Sequence, residues 1–384
     1  MKYTLVNDTL TLFPEGELNS FNSDDAKAEI ESITKSNKYS KIVLDLAKLI
    51  YISSAGLRVV LMLKQKNDNL EIINASLEVY DVFQMTGFTS MMDIKKALRK
   101  VDVSHAEVIG DGFFSTVYRL DKDTIVKVFN RTSDPNQIER ELKLAKEAFI
   151  LGVPTAISFD IVQAGDKLGV IFEMLDCSSL KNAVLANLNH YEKYLKKYAE
   201  LLKKINTTEC FDPNIPSVKR FYLEKLEKIK NNLDETHYKK ALKLIESIED
   251  RKTFVHGDCH FKNIMVQKDE LLLIDMDTLS VGHPIFELAA ICATYCIFNE
   301  DDPGNSQRFF GIKDEDAEKL YNGLVNLYFG KDDSEIKEKI KLVSYIHMVW
   351  WNRVNEPSNT KRFEGCRSRL YPLLDKYNDL DIGI

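Results

Sequence analysis

Hydrophobic residues recur with two different periods along the first hundred residues of the chain. Residues 3–13 alternate apolar and polar on both sides of Asn7 and Asp8, which predicts two strands joined by a tight turn. Apolar residues then recur at helical spacing after Ser23, which we place as the N-cap of a first helix. The runs KIVLDLAKL and LEIINA predict two further strands, each followed by a helix. This β-α-β-α order predicts an α/β domain with helices packed on a mostly parallel sheet.

The helix that follows KIVLDLAKL begins in the segment YISSAGLRVV. Either Ser53 or Ser54 is placed to cap its N-terminus, and an apolar stripe begins at Leu57. Gly56 permits close packing at the same point. A capping serine is therefore a sufficient explanation of this segment.

A domain boundary is predicted after residue 102, where the helix-like segment MMDIKKALRK is succeeded by a strand-and-glycine pattern. We assign residues 1–102 to one domain and residues 103–384 to a second domain. Apolar spacing near 3.6 residues predicts that most of the second domain is helical. The predicted helices cover residues 180–205, 218–233, 238–248, 284–298, 316–328 and 335–351.

Composition narrows the class of protein. The chain has 384 residues, more than a single core of about 250–300 residues usually accommodates. Its net charge of −7 comes entirely from the second part, since the first hundred residues hold 13 basic and 13 acidic side chains. An acidic chain disfavours partners such as nucleic acid or an anionic membrane surface. No apolar run approaches the roughly 20 residues of a membrane span. Six scattered cysteines without a C-x-x-C pair indicate reduced, mostly buried thiols, so we expect a cytoplasmic protein.

The N-terminal domain resembles the STAS fold of anti-sigma-factor antagonists. The resemblance rests on D-L-x-x-x-x-Y-I-S-S-A-G-L-R and on the later F-Q-M-T-G-F, and it spans nearly all of residues 1–100. It implies a mixed sheet with helices, an anti-sigma-factor-like protein partner, and a serine that a partner kinase phosphorylates. By motif position that serine is Ser54, where a phosphate would meet the N–H groups of a helix start. Many members have Asp in place of Ser53 and Ser in place of Ala55, so the local charge differs here.

A glycine-containing hairpin opens the second domain. In VIGDGFFSTVYRL, Gly110, Gly112 and Ser115 form a G-x-G-x-x-S pattern, which is typical of a phosphate-covering loop but equally of a simple turn. The next strand, TIVKVF, presents Lys127 where a phosphate-binding lysine would stand. The helix after it offers Glu139 or Glu141 as the ion-pair partner, and we favour Glu141.

The most specific pattern is FVHGDCHFKNIMV followed by LLLIDMD. It places Asp258, Asn263 and Asp275 in an H-x-D-x-x-x-x-N loop and at the end of the apolar strand that follows. Phosphoryl transfer needs a carboxylate beside the acceptor hydroxyl and oxygen ligands for Mg²⁺, and these residue types supply both. The pattern therefore predicts a Mg²⁺-dependent phosphotransferase site.

Residues from about 105 to 384 resemble the aminoglycoside phosphotransferase and choline kinase group of eukaryotic-like kinases, through HGDCHFKN and IDMDTLSVGHPIFELA. The resemblance implies a bilobal protein-kinase-like α+β domain, with an N-lobe over residues 103–175 and a mostly helical C-lobe over residues 176–384. It implies that ATP and Mg²⁺ are the cofactors. It also implies a role for each motif residue: Asp258 as catalytic base, Asn263 and Asp275 as Mg²⁺ ligands, Lys127 on the phosphates, Glu141 positioning Lys127, Gly110, Gly112 and Ser115 over the nucleotide, the main chain of Glu173 and Leu175 at adenine, and Glu287 as a structural anchor of the loop.

Three functions are compatible with these patterns. The first is an ATP-dependent phosphotransferase for a small-molecule hydroxyl, with the STAS domain as a regulatory or docking module. The second is a protein serine kinase of a partner-switching circuit that phosphorylates a STAS serine such as Ser54. The third is a non-catalytic nucleotide-binding scaffold. The aromatic residues Trp350 and Trp351 are interpreted as core, with an acceptor pocket as the alternative, and the acidic surplus is compatible with a cationic acceptor.

Overall fold

The structure is a computed structural model that describes residues 1–112, 115–130, 135–175, 177–186 and 191–384. The chain divides into two compact units, Met1–Val101 and Asp102–Ile384. Each unit is described by itself below.

The first unit is an α/β domain built on a five-stranded mixed sheet. Its strands lie in the order β1-β2-β4-β6-β7, antiparallel between β1 and β2 and parallel in the other pairs, as predicted for a mixed sheet. A second small sheet pairs β3 with β5. The elements are β1 Lys2–Val6, β2 Thr9–Phe13, β3 Glu15–Leu18, α1 Ser23–Ser36, β4 Lys41–Asp45, β5 Lys48–Ile52, α2 Ser54–Lys66, β6 Leu70–Ala75, α3 Leu77–Met85, β7 Ile94–Lys96 and β8 Arg99–Val101.

Three local predictions for this unit need correction. Ser23 is the first residue of α1, and the N-cap position is taken by Asn22. The apolar run KIVLDLAKL is two strands, because β4 ends at Asp45 and β5 begins at Lys48. The segment MMDIKKALRK contains strand β7 and the start of β8, and the pairing of β7 with β6 overrides the helical pattern there.

The start of α2 is fixed by close packing. Ser53 is the N-cap, and its Oγ accepts hydrogen bonds from the N–H groups of Ala55 at 3.2 Å and Gly56 at 3.5 Å. A β-carbon on Gly56 would lie 2.4 Å from the carbonyl oxygen of Leu18, closer than any real contact. The small residue at this position is therefore required by the backbone of β3.

The second unit begins with an antiparallel sheet that carries a single helix. Strands β9 to β13 lie in the order β12-β13-β11-β10-β9. The helix α4 connects the central strand β11 to β12, so that one helix covers the sheet as in the N-lobe of a kinase. The elements are β9 Glu107–Asp111, β10 Ser115–Arg119, β11 Thr124–Phe129, α4 Pro135–Ile150, β12 Ser158–Ala164 and β13 Lys167–Glu173.

The remainder of this unit is mostly helical, in agreement with the predicted C-lobe. One large hydrophobic core joins its helices, and the short strands carry the motif loops. The strands are β14 Ser178–Ser179, β15 Phe254–Val255, β16 Ile264–Gln267, β17 Glu270–Leu273 and β18 Ser280–Val281. The helices are α5 Leu180–Ala186, α6 Glu192–Thr207, α7 Val218–Ile229, α8 Glu235–Ser247, α9 Ile285–Cys292, α10 Phe298–Asp301, α11 Asn305–Phe310, α12 Asp314–Phe329, α13 Ser334–Asn355 and α14 Thr360–Lys376.

The predicted helices of the C-lobe agree with the structure in position and differ in two details. The helix predicted over residues 180–205 is described as α5 and α6, and residues 187–190 lie outside the described part of the chain. Helices α11 and α14 have no counterpart among the predicted helices. The buried residues of α14, Arg362, Cys366, Leu370 and Leu374, form a stripe only one residue wide, and Pro372 lies within that helix. Such a narrow stripe gives a weak 3.6-residue signal.

Two general expectations can be compared with the structure. Five of the six cysteines are buried. In the ranges that the structure describes, no helix combines the length and the apolar character that crossing a lipid bilayer requires.

Candidate active site

Lys127 lies on the central strand of the N-lobe sheet and has two carboxylate partners. Its Nζ donates to Glu141 Oε1 and to Asp275 Oδ1, both at 2.8 Å. Glu141 projects from α4 and is buried, whereas the alternative partner Glu139 is exposed. Helix α4 therefore presents Glu141, and not Glu139, to the strand that carries Lys127.

The charge state of this lysine is settled by competing effects. Burial is the largest effect and disfavours the ammonium, but the carboxylates of Asp275 and Glu141 outweigh it and raise the pKa of Lys127 above its usual value. Burial also raises the pKa of Glu141, against the opposing effect of Lys127. Lys127 is thus a firmly charged cation held among carboxylates.

Asp258 lies in the loop between β15 and β16, where Asn263 holds it in place. The Nδ2 of Asn263 donates to the carboxylate Oδ2 of Asp258 at 2.9 Å and to its main-chain oxygen at 3.0 Å. The side-chain oxygen of Asn263 is not used in either bond, so it remains an available oxygen ligand.

A fully buried glutamate on α9 also anchors the loop between β15 and β16. The carboxylate of Glu287, on α9, accepts the main-chain N–H of His256 at 2.5 Å and of Gly257 at 3.2 Å. The Nε2 of His256 lies 3.2 Å from the carbonyl oxygen of Ile274. Burial lowers the pKa of His256 to about 4, which makes the ring neutral and assigns the proton to Nε2. Glu287 and His256 therefore join the loop to α9 and to the strand segment before Asp275.

Two tyrosines extend this support, and sequence patterns did not identify them. The hydroxyl of Tyr198 donates to the carbonyl oxygen of Cys259, and the hydroxyl of Tyr295 accepts the N–H of Phe261 at 3.0 Å. Tyr295 lies in a π-helical turn over residues 293–297, between α9 and α10. An apolar pattern does not distinguish such a turn from an ordinary helix, so no signal in the sequence marks this role.

Three carboxylates meet where the loop faces Asp275. Asp275 has a left-handed backbone, with φ of 66°, which turns the chain sharply after β17. Burial, and then the charges of Asp275 and Asp277, raise the pKa of Asp258 to about 8. Burial, and then the charge of Asp275, raise the pKa of Asp277 to about 7. The site therefore carries more negative charge than the nearby Lys127 neutralises.

The chemistry of these groups fits a magnesium ion. Among the described residues, no group of three or more His, Cys, Asp and Glu side chains forms a metal cage. Mg²⁺ in phosphate-transferring sites usually binds one or two protein oxygens and completes its shell with phosphates and water. The free oxygen of Asn263 and the half-exposed carboxylate of Asp275 offer such a pair.

Lys127 and Asp275 lie at the polar end of a cavity of about 380 Å³. Its other walls are mainly apolar and come from β9 to β11, the end of β13 and the strands around Asp275. They include Val117, Ile125, Ala156, Phe172, Met265 and Ile274. Flat apolar walls with charged groups at one end suit a ligand with a ring at one end and phosphates at the other.

The predicted nucleotide-contact residues are divided between this cavity and its surroundings. Gly110, Ser115, Glu173 and Leu175 line it, and the packing of the protein leaves ordinary space for a β-carbon on Gly110. Gly112 is part of the hairpin, where its N–H donates to the carbonyl oxygen of Ser115 at 2.9 Å. The N–H of Glu173 donates to the carbonyl oxygen of Ile157, and one oxygen of its carboxylate accepts from the N–H of Ile157, so the N–H of Glu173 is not available for a ligand.

In the first unit, Ser54 occupies the first position of α2. Its side chain is exposed, while the neighbouring Ser53 performs the capping. The structure thus separates the two serines that the sequence left as alternatives for the cap.

Comparison with known proteins agrees with both units. Residues 105–318 match the phosphotransferase enzyme family, and residues 2–101 match the STAS domain. The first unit is also similar to BtrV of Bordetella bronchiseptica, which is named as an anti-sigma factor antagonist. The two are 36% identical over 101 residues, which cover 24% of this chain and 85% of that protein. These matches confirm the family resemblances stated from the motifs.

Solved structures also match parts of the chain at low sequence identity. The aminoglycoside phosphotransferase APH(2'')-Ib with bound ADP is 15% identical, with a TM-score of 0.49, over 71% of this chain and 95% of its own. An anti-sigma-factor-antagonist-like protein of Thermotoga maritima is 24% identical, with a TM-score of 0.23, over 25% of this chain and 85% of its own.

Proposed function

Because the chain belongs to the phosphotransferase enzyme family and carries a STAS domain, we propose that it transfers the γ-phosphoryl group of ATP to the hydroxyl group of a small molecule. The reaction requires Mg²⁺, and the STAS domain regulates the enzyme or docks it to a protein partner. The observation that carries this proposal is the meeting of Lys127, Glu141 and Asp275 at the polar end of the apolar cavity.

Each residue of the site has a defined task in this reaction. Lys127 donates hydrogen bonds to the phosphates and neutralises their charge, while Glu141 holds its Nζ in place. Asp258 orients the acceptor hydroxyl and takes its proton, and Asn263 fixes the rotamer of Asp258. Asn263 and Asp275 would hold Mg²⁺, which would supply positive charge to the phosphates.

The pKa of Asp258 is relevant to this task. A base with a pKa of about 8 is largely protonated at neutral pH, because burial, and then the surrounding carboxylates, disfavour its charged form. A cation held by Asn263 and Asp275 would oppose those carboxylates and lower the pKa of Asp258. The ionised form of Asp258, which accepts a proton, would then be favoured.

A second cavity is consistent in size and position with a small-molecule acceptor. It also has a volume of about 380 Å³, toward the lower end of the range of about 300–1,000 Å³ that is typical of small-molecule sites. Gly257, next to Asp258, and Asp277 line it, so a molecule bound there lies beside the catalytic loop.

The test is Mg²⁺-dependent release of ADP from ATP by the full chain, with and without a panel of hydroxyl compounds. Asp258→Asn should reduce turnover by at least 100-fold and leave ATP affinity within a few-fold of the wild-type value, because Asp258 does not line the ATP cavity. The matched control is Asp160→Asn, an exposed carboxylate on β12, which should behave as wild type. Nucleotide binding without turnover in the wild-type protein would favour the non-catalytic scaffold instead.

A protein acceptor is the second candidate, favoured by the exposure of Ser54 beside a separate capping serine. A phosphate on Ser54 would lie at the N-terminus of α2 without displacing the cap. Incubation with labelled ATP tests this candidate in three variants. Label that appears on the wild type and on Ser53→Ala, and that is lost in both Ser54→Ala and Asp258→Asn, would make Ser54 the acceptor. An unlabelled chain that still phosphorylates small hydroxyl compounds would exclude self-phosphorylation.

A further inference from the structure

A lysine in the second cavity has aromatic and imidazole neighbours instead of a carboxylate partner. Lys225, on α7, points its Nζ over the rings of Tyr222 and Trp350, at 4.7 Å from each ring centre. Its Nζ also lies 3.0 Å from Nδ1 of His347 on α13. Within the described parts of the chain, Lys225 forms no ion pair with Asp or Glu, whereas Lys127 and Lys339, which are also withdrawn from water, do so.

The surroundings disfavour the charge of this lysine. Burial, and then the neighbouring Lys228, lower the pKa of Lys225 to about 8. Burial, and then Lys225, lower the pKa of His347 well below its usual value. An anion that binds next to such a cation stabilises its charged form, because it supplies the opposite charge that no carboxylate of the protein provides there.

The other charged groups of the cavity add to its excess of positive charge. Arg140 and Lys228 also line it and are exposed at its surface. Its two carboxylates are Glu224 and Asp277. Glu224 is paired with Arg220 at 3.0 Å, and Asp277 is coupled electrostatically to Asp275 and Lys127 of the first cavity. The cations of this cavity therefore exceed its carboxylates, despite the net negative charge of the whole chain.

The aromatic residues do not form a site for a cationic acceptor. The faces of Tyr222 and Trp350 are already occupied by the ammonium of Lys225, so a second cation would meet a like charge. Trp350 lines the cavity, whereas Trp351 packs edge-on against Phe298, with the ring centres 4.9 Å apart. The cavity therefore already holds a cation against its aromatic faces, which favours an anionic ligand over a cationic one.

We propose that the second cavity binds the oxyanion, a phosphate or a carboxylate, of a small hydroxyl compound, and that Lys225 is the residue that pairs with it. This inference rests on the proposed phosphotransferase function only in naming the bound molecule as the phosphate acceptor. Arg140 and Lys228 attract the anion at the entrance, and Lys225 holds it between the rings of Tyr222 and Trp350. The hydroxyl end of the compound then lies toward Gly257 and the neighbouring Asp258.

The two tryptophans of the chain provide the test, because they are adjacent and only Trp350 lines the cavity. In protein labelled with ¹⁵N-tryptophan there are two indole N–H signals, which Trp350→Phe assigns. Inorganic phosphate and acetate should each shift the Trp350 signal saturably and leave the Trp351 signal nearly unchanged. Whichever anion binds more tightly identifies the natural group as a phosphate or a carboxylate. Sodium chloride at equal ionic strength and tetramethylammonium should have no saturable effect.

Substitutions then assign the effect to Lys225. Lys225→Met should weaken anion binding at least tenfold without unfolding the protein, because methionine has a similar shape and removes an unpaired buried charge. Lys225→Gln should give the same result if the methionine variant fails to fold. Lys243→Met, an exposed lysine of α8 outside the cavity, should bind as wild type.

The inference would be overturned by phosphate and acetate that fail to shift the Trp350 signal, by equal binding in Lys225→Met, or by a saturable shift with tetramethylammonium. None of these measurements requires ATP or turnover. A chain that binds anions through Lys225 and releases no ADP would therefore refute the proposed reaction and leave the anion site standing, and the reverse result would refute the anion site alone.

Discussion

The buried carboxylate of Glu287 offers the sharpest test of how the catalytic loop is held. Glu287→Gln keeps the size of the side chain and replaces one of two carboxylate oxygens by an NH₂ group. That group cannot accept a hydrogen bond, so either the N–H of His256 or that of Gly257 loses its partner. Glu287 is 0% exposed, which means that water cannot replace the lost bond.

The size of the effect follows from this burial. A buried N–H without an acceptor costs about 1–3 kcal/mol, which corresponds to about 5- to 150-fold faster opening of the loop. Hydrogen exchange of the amides of residues 256–259 should accelerate by that factor. Turnover, measured as ADP release, should fall at least tenfold, because the loop carries Asp258.

The effect should also depend on pH. Burial raises the pKa of Glu287 from 4.5 to about 7 in the folded protein, against three main-chain hydrogen bonds that lower it. A raised folded-state pKa contributes stability that is complete below pH 4.5 and is lost as the pH rises to about 7. Glutamine does not titrate, so the destabilisation caused by Glu287→Gln should shrink by about 2–3 kcal/mol between pH 5 and pH 8. Urea unfolding followed by tryptophan fluorescence reports this change, since both tryptophans lie in the second unit.

Glu300→Gln is the matched control. Glu300 lies on α10, where its carboxylate accepts from the hydroxyl of Tyr345 at 2.8 Å and pairs with Arg369 at 3.3 Å, so the same substitution removes a partly buried charge away from the catalytic loop. It should lower stability and leave both turnover and loop exchange unchanged. If the loop amides exchange at the wild-type rate in Glu287→Gln, or if both variants lose turnover equally, the loop is not held by Glu287 and the reasoning fails.

Three further predictions concern other parts of the chain. Gly56→Ala should destabilise the first unit by about 3 kcal/mol, because a β-carbon would collide with the carbonyl oxygen of Leu18; the transition detected by circular dichroism should move while the tryptophan-detected transition does not. Ser53→Ala should lower the stability of the same unit by about 1 kcal/mol through loss of the N-cap, and an unchanged unfolding midpoint would count against the cap. Asp277→Asn removes a negative charge that raises the pKa of Asp258, so the acidic limb of the pH–rate profile should move to lower pH; a shift to higher pH would contradict the assigned coupling.

Local spacing in the sequence was enough to predict most of the candidate site residues and helices of the second unit. Asp258 and Asn263 are five residues apart in one loop, and their side chains meet because a single tight segment carries both. The helices with wide apolar stripes were predicted for the same reason, since a stripe of this kind is a local property of the chain. Helix α14, with its narrow stripe, and strands β7 and β8, whose state depends on a neighbouring strand, were not.

The groups to which we assign reactivity and specificity come together only in the folded protein. Lys127 and Asp275 are 148 residues apart, and Lys225 and His347 are 122 residues apart, so no local pattern relates them. The raised pKa of Asp258 and the choice of Glu141 over Glu139 likewise depend on burial and on which face of α4 meets the sheet.

By itself, then, the sequence determined the two families, the catalytic motif and most of the helices, because these are encoded by residues close together in the chain. The tertiary structure alone decided the charge of the second cavity. The acidic composition of residues 101–384 was compatible with a cationic acceptor, but composition averages over a whole surface. Electrostatic recognition depends on the few charges within a few ångströms of the ligand, and folding placed lysine there.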